Sequence, residues 1–165
     1  MKISKPTILF TINNMILLSS IATVFSALTI MIHYHMGHPG IISATETFGR
    51  LHYSDWSWIH KASTIVLTLF IAYHVQLHWN WYKNVLYKKL LTKNKQVLLL
   101  SVIFTVSFLT GFIPWVLQLS HPTDITRRFL LEIHDKTGII LIVFLVLHVS
   151  KRVKWFKNTY EKMKS

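Results

Sequence analysis

The sequence predicts an all-α integral membrane protein in which four transmembrane helices form one bundle, built as a tandem repeat of a two-helix hairpin. Hydrophobic residues make up 52% of the 165 residues and charged residues only 15%, whereas soluble domains average about 25% charged. The charges lie between long apolar runs, and one 26-residue segment recurs with its histidines in the same places. These three observations favour a membrane bundle over a soluble helical domain.

Each of the four helices is predicted from a run without charged residues. A transmembrane helix needs about 20 mostly apolar residues, and the charge-free runs are 6–45, 62–82, 96–123 and 137–150. The last run is short, but Ile133, Val153 and Trp155 extend its apolar face, and basic side chains near a helix end reach back to the polar interface. We expect helices at about 7–33, 57–83, 95–119 and 132–157, in a single domain covering residues 1–165.

The positive charges predict the orientation of the bundle. Thirteen of the 18 basic residues lie before the first helix, around the loop between the second and third helices, or from the inner end of the fourth helix onward. Cytoplasmic loops of membrane proteins carry such an excess of lysine and arginine. Both termini are therefore expected in the cytoplasm, and the net charge of +12 reflects topology rather than a nucleic-acid surface.

The second and fourth helices contain two copies of one sequence. Aligned without gaps, residues 59–84 and 133–158 are identical at ten of 26 positions. Shared aliphatic residues are common among membrane helices, but two histidines, a tryptophan and a final Lys-Asn pair are also shared. The first and third helices share only an echo, SALT at 26–29 and SFLT at 107–110. The chain is interpreted as two related hairpins.

Each copy of the repeat carries two histidines fourteen residues apart, His60 and His74 in the first copy and His134 and His148 in the second. In an α-helix this spacing leaves the side chains about 40° apart around the axis and about 21 Å apart along it. Both helices run inward from the outer face, so His60 is expected at the depth of His134, and His74 at that of His148. Polar residues within a membrane are energetically costly, so histidines that recur at equivalent positions of two membrane helices indicate a function.

Two histidines at one depth suit the two axial positions of a haem iron. The chain has no cysteine, which excludes covalently attached haem, iron–sulfur clusters and thiolate zinc sites. We predict two b-type haems, an outer one held by His60 and His134 and an inner one held by His74 and His148, because bundle cofactor sites are built from facing helices. Two axial imidazoles leave no open iron position, which favours electron transfer over oxygen chemistry.

Other polar residues flank these histidines. His78 lies eighteen residues after His60, and the repeat places Arg152 at the position equivalent to His78. The simpler interpretation makes both ordinary interfacial side chains, and the functional alternative is contact with a quinol oxygen or a haem propionate. A second metal site near the outer surface is a weaker alternative for the remaining histidines, which are His33, His35, His38, His52 and His121.

At these motifs the chain resembles a known family. The strings WSWIHKASTIVLTLFIAYHVQLHWNW at 56–81 and EIHDKTGIILIVFLVLHVSKR at 132–152 are similar to the small four-helix bacterial proteins called flavinylation-associated cytochromes. The resemblance covers most of the chain and implies a cytochrome b-like di-haem bundle in the bacterial cytoplasmic membrane. It also implies electron transfer between the membrane quinone pool, as menaquinol or ubiquinol, and an extracytoplasmic flavin-carrying partner or other redox protein.

The sequence therefore predicts a transmembrane electron conduit. The chain has no nucleotide-binding glycine motif, so by itself it is expected to be a relay subunit rather than a complete enzyme. A ferric-reductase-like membrane core is the alternative within the redox class, although that architecture usually has more helices and a flavin–nicotinamide domain. A histidine-based metal-ion transporter or sensor is the alternative outside it, but none of the four charge-free runs contains a carboxylate.

Overall fold

A computed structural model shows that every regular element of the described chain is helical. The structure describes residues 4–35, 47–88, 90, 94–120 and 125–164. The elements are α1 (Lys5–Thr29), a π-helical segment (Ile30–His35), α2 (Tyr53–Leu77), α3 (Trp79–Tyr87), α4 (Lys95–Ser120) and α5 (Ile125–Lys164). The all-α prediction is confirmed for this part of the chain, in which no strand is present.

Two helices differ from their predicted bounds by more than two residues. The predicted second helix at 57–83 is interrupted, because His78 has φ −103° and ψ 13° and separates α2 from α3. The predicted fourth helix at 132–157 is longer at both ends, since the flanking segments 125–131 and 158–164 contain no proline or glycine to end it. α1 with its π-helical segment covers 5–35 against the predicted 7–33, and α4 covers 95–120 against 95–119.

α1 begins with a capped turn. Ser4 Oγ accepts the backbone N–H of Thr7 at 3.4 Å, and Pro6 stands in the first turn, where its missing N–H has no helical partner to lose. Further along, buried serines donate their hydroxyl hydrogens to the carbonyl four residues earlier, as Ser20 does to Ile16 at 2.6 Å. Polar side chains are thereby satisfied within an apolar helix.

Two helical segments are long and apolar enough to cross a membrane, Lys5–Tyr34 and Lys95–Leu117. Only 22% and 17% of their most apolar stretches are buried, whereas the core helix of a soluble protein is mostly covered. Within the described residues α2 and α5 do not reach the same hydropathy, because histidines and other polar residues interrupt their apolar sequence. The two apolar helices suggest a membrane protein, and the four-helix transmembrane bundle stays a prediction.

The chain divides into two compact units. One comprises Met1–Trp79 with Thr159–Ser165, and the other comprises Asn80–Asn158. The first unit contains the α1–α2 hairpin, and the second contains α4 with most of α5. Each unit therefore contains the two histidines of one copy of the repeat, and the single four-helix domain stays a prediction.

A tight turn at 48–51 precedes α2 in the first unit. Its first and last residues exchange two backbone hydrogen bonds of 3.0 and 3.1 Å, and Gly49 and Arg50 between them have φ of +61° and +67°. The Trp56 indole N–H donates to the carbonyl of the first residue at 3.1 Å, and the Tyr34 hydroxyl donates to that of the last at 3.0 Å. Both aromatic side chains are buried, so the turn is held by the helices that flank it.

Candidate functional site

The four predicted haem ligands lie on the two helices that carry the repeat. His60 and His74 belong to α2 in the first unit, and His134 and His148 belong to α5 in the second. All four side chains are partly exposed. Within each unit the structure defines their neighbours, while the pairing of His60 with His134 and of His74 with His148 stays a prediction.

His60 is held against α1. Its Nδ1 atom lies 3.3 Å from the carbonyl oxygen of Thr23 and 3.3 Å from Oγ of Ser26. Ser26 is fully buried and donates its own hydroxyl hydrogen to the Ala22 carbonyl at 2.8 Å, so its oxygen is an acceptor toward the imidazole. α1 therefore offers two acceptor atoms to one ring nitrogen of His60.

Hydroxyl groups extend this contact between α1 and α2. The Thr23 hydroxyl donates to Ser63 Oγ at 3.0 Å across the helix interface, and the Ser63 hydroxyl donates to the His60 carbonyl at 3.1 Å. Small polar residues with hydrogen bonds between helices are typical of packed membrane helices. Hydrogen-bonding groups of α1 and α2 therefore contact both the ring of His60 and its main-chain carbonyl.

His134 is held against α4 in a similar way. Its Nδ1 atom lies 2.8 Å from the carbonyl oxygen of Ser107. Gly111, one turn further along α4, makes room for the ring: a Cβ added there would lie 2.7 Å from Cε1 and 2.8 Å from Nδ1 of His134. Such distances are shorter than van der Waals contact, so this approach of the ring to the α4 backbone requires glycine.

The hydrogen-bond acceptors determine which ring nitrogen of His60 and His134 carries the proton. A carbonyl oxygen only accepts hydrogen bonds, so the short contact with Ser107 places the ring proton of neutral His134 on Nδ1. The acceptors on Thr23 and Ser26 favour the same tautomer of His60. In each case Nε2 keeps its lone pair, which is the form in which histidines supported by a carbonyl bind metals.

These contacts explain the short sequence similarity between the first and third predicted helices, SALT at 26–29 and SFLT at 107–110. Ser26 opens the string SALT and Ser107 opens SFLT, and these two residues supply acceptors to the two imidazoles. The last residues of the strings, Thr29 and Thr110, are both buried and donate to the carbonyl four residues earlier. The role of these serines was not predicted, although the echo was a signal that pointed to them.

Open space adjoins His134 on its own helix. Gly138 lies four residues later, on the same helix face, and a Cβ added there would meet no heavy atom within 4 Å. A haem macrocycle needs space beside its axial ligands, and imidazole is a suitable donor to iron. The open space beside His134 and the Nδ1-protonated tautomer favoured at His60 and His134 therefore fit a haem.

His74 has a different neighbour. Its ring centroid lies 4.7 Å from that of His78, with the planes inclined by 42°, and the His74 Nδ1 atom is buried. The backbone N–H of His78 donates to the carbonyls of His74 and Val75, both at 3.1 Å, where α2 ends. The ring of His78 is therefore in direct contact with that of the predicted inner ligand.

His148 and Arg152 lie one turn apart on α5. His148 is partly exposed and Arg152 is exposed. Between them in sequence, Lys151 is directed to α4 of the same unit, where its ammonium donates to Gln96 Oε1 at 2.6 Å. The predicted contact of Arg152 with a quinol or a propionate stays a prediction.

The remaining histidines have individual surroundings. His33 is exposed and stacks on Phe48 with centroids 4.0 Å apart. His52 is exposed and precedes α2, where its backbone N–H donates to Asp55 Oδ2 at 2.9 Å. His38 and His121 lie outside the described residues, as does the side chain of His35. Across the described part of the chain, no three histidine or carboxylate side chains cluster as a metal site would require.

Comparison with known proteins adds no relative: no family model matches the chain, and no curated protein or solved structure is significantly similar to it. The class that the fold defines is an all-helical protein with two helices of membrane-spanning length and composition. Its finer assignment depends on the histidines and their neighbours.

Proposed function

We propose that this protein is a di-haem membrane cytochrome that carries electrons across the bacterial cytoplasmic membrane. The observation that supports it most is the matched setting of His60 and His134, whose Nδ1 atoms both contact acceptors on the preceding long helix. In metal-ligating histidines, the ring nitrogen that does not bind the metal makes a hydrogen bond of this kind, which fixes the ring orientation and the tautomer. His60 and His134 occupy equivalent positions of the repeat and have equivalent hydrogen-bond acceptors, and helix packing alone does not require either similarity.

In this proposal each level of the bundle has its own pair of ligands. His60 and His134 hold the outer haem, and His74 and His148 hold the inner one, in a cytochrome b-like arrangement of four helices. Bound b-type haem supplies one-electron chemistry, as its iron alternates between the ferric and ferrous states. The imidazoles fix its position, and the apolar faces of the helices exclude water.

The membrane assignment is supported by the surface of α2 and α5 as well as by the two most apolar helices. Leu69 on α2 is 66% exposed and Val146 on α5 is 58% exposed. Exposed apolar faces of this kind mark contact with lipid or with another protein. With the charge distribution, they support a multi-pass protein whose N- and C-termini are cytoplasmic.

The ends of the conduit define the partners. At the inner side, His78 and Arg152 lie one turn beyond His74 and His148 and are proposed to contact a quinol oxygen or a propionate. At the outer side, the haem exchanges electrons with an extracytoplasmic flavoprotein or other redox protein. This assignment rests on the resemblance to flavinylation-associated cytochromes, and the chain acts as a subunit of an oxidoreductase system.

The visible spectrum of the purified protein, reduced with dithionite and with haem measured against protein, tests the proposal. We expect reduced b-type bands and two haems per chain. His60→Ala and His134→Ala should remove the same single haem, while His52→Ala, a change at an exposed histidine outside the proposed ligand set, should leave both. A colourless protein expressed with sufficient haem would contradict the proposal, as would loss of different haems from the two outer variants.

A further inference from the structure

The two outer histidines do not have equal hydrogen bonds. Nδ1 of His134 lies 2.8 Å from one main-chain carbonyl, that of Ser107. Nδ1 of His60 lies 3.3 Å from each of two acceptors, the Thr23 carbonyl and the Ser26 hydroxyl oxygen. N–H···O bonds are most favourable near 2.9–3.0 Å and weaken as they lengthen, so the support of His60 is the weaker and the more adjustable.

Ser26 connects the two acceptors of His60. Its hydroxyl oxygen lies 3.0 Å from the Thr23 carbonyl oxygen and 2.8 Å from that of Ala22. The Thr23 carbonyl is therefore close to both the hydroxyl hydrogen of Ser26 and the ring hydrogen of His60. A hydroxyl rotates, whereas a helical carbonyl does not. The orientation of the Ser26 hydroxyl hydrogen therefore influences how well Ser26 Oγ accepts from Nδ1 of His60 and how much of the Thr23 carbonyl is left to the ring.

We propose that Ser26 is a positioning residue that fixes His60 in its Nδ1-protonated tautomer and sets the basicity of its Nε2 atom. Donation from Nδ1 increases the electron density at Nε2 and strengthens the imidazole as a ligand. Ser107 provides the equivalent support of His134 through its main chain, which substitution leaves in place. Ser26 provides one of the two acceptors of His60 through a side chain, so a substitution at Ser26 removes a hydrogen-bond partner of His60 directly.

The effect on the ring is tested in the full-length protein without haem. Nitrogen-15 NMR of the histidine rings in alkaline solution, where neutral imidazole predominates, reports which nitrogen carries the proton. In Ser26→Ala only the 3.3 Å contact with the Thr23 carbonyl remains, so we expect the Nδ1-protonated fraction of His60 to fall while His134 is unchanged. Ser26→Thr keeps the hydroxyl and should retain the original tautomer.

Ser20→Ala is the matched control. Ser20 is a buried serine of the same helix, and its hydroxyl donates to the Ile16 carbonyl at 2.6 Å. Its loss removes the same group from α1 without touching the acceptors of His60. The proposal is overturned if Ser26→Ala leaves the His60 tautomer unchanged, or if Ser20→Ala moves it equally.

The effect on haem rests on the proposed function and has a separate readout. In haem-loaded protein, Ser26→Ala should raise the midpoint potential of the outer haem, because a less basic ligand stabilises the ferric form less. The inner haem should keep its potential, and Ser20→Ala should alter neither. Failure to bind haem would refute the proposed function and leave the NMR result to decide the role of Ser26, whereas bound haem with an unchanged outer potential would overturn that role in tuning.

Discussion

The ring of His134 lies directly against the backbone of α4 at Gly111, where an added Cβ would come within 2.7 Å of Cε1. This close approach allows Nδ1 of the ring to reach the Ser107 carbonyl. The two features depend on each other, because a larger residue at 111 displaces the ring from its acceptor. Gly111 is therefore as necessary to the setting of His134 as the acceptor itself.

Gly111→Ala should remove the outer haem selectively. The added methyl group displaces the His134 ring, and overpacking of this kind costs about 1–3 kcal/mol. We expect the haem content to fall from two to one per chain, measured by the reduced spectrum, with the inner haem retained. Val116→Ala, at a 48% exposed position of the same helix, is the control and should retain both haems. Full haem content in Gly111→Ala would show that His134 is not a ligand in this conformation.

Gly138, unlike Gly111, has room for a larger side chain in the haem-free protein. Since no heavy atom lies within 4 Å of a Cβ added there, a larger residue is accommodated by the protein alone, and replacing a helical glycine stabilises a helix by about 0.5–1 kcal/mol. Gly138→Leu should therefore leave the thermal stability of the haem-free protein unchanged or raised. In the presence of haem the leucine occupies the space beside His134, so the outer haem should be lost. Normal haem content would mean that the macrocycle lies elsewhere.

The helices were largely predictable, because charge-free apolar runs of sufficient length have few other structures open to them. The break at His78 was not, since no proline or glycine lies between His74 and Asn84 and the helical sequence pattern continues through it. The acceptors of His60 and His134 were also beyond prediction. They depend on which face of α1 packs on α2 and of α4 on α5, and on the axial register of each pair, and neither follows from helical periodicity alone.

The turn before α2 should tolerate or favour replacement of its arginine. Arg50 has φ +67°, a left-handed conformation that costs a residue with a Cβ roughly 1 kcal/mol and costs glycine almost nothing. Arg50→Gly should increase the stability of the hairpin by about 0.5–1 kcal/mol, measured by thermal unfolding in detergent. Arg50→Lys retains the Cβ and is the control, with no change expected. Destabilisation by glycine would indicate that the arginine side chain makes a stabilising contact that outweighs the backbone strain.

His74 and His78 should differ in their effect on the inner haem, although their rings lie only 4.7 Å apart. His74 belongs to the regular part of α2 and has a repeat counterpart in His148, whereas His78 has non-helical backbone angles and Arg152 as its counterpart. His74→Ala should remove the inner haem, and His78→Ala should retain it while slowing its reduction by added quinol. Haem content and stopped-flow reduction of membrane vesicles measure the two effects. Loss of the inner haem from His78→Ala with retention in His74→Ala would transfer the ligand role to His78.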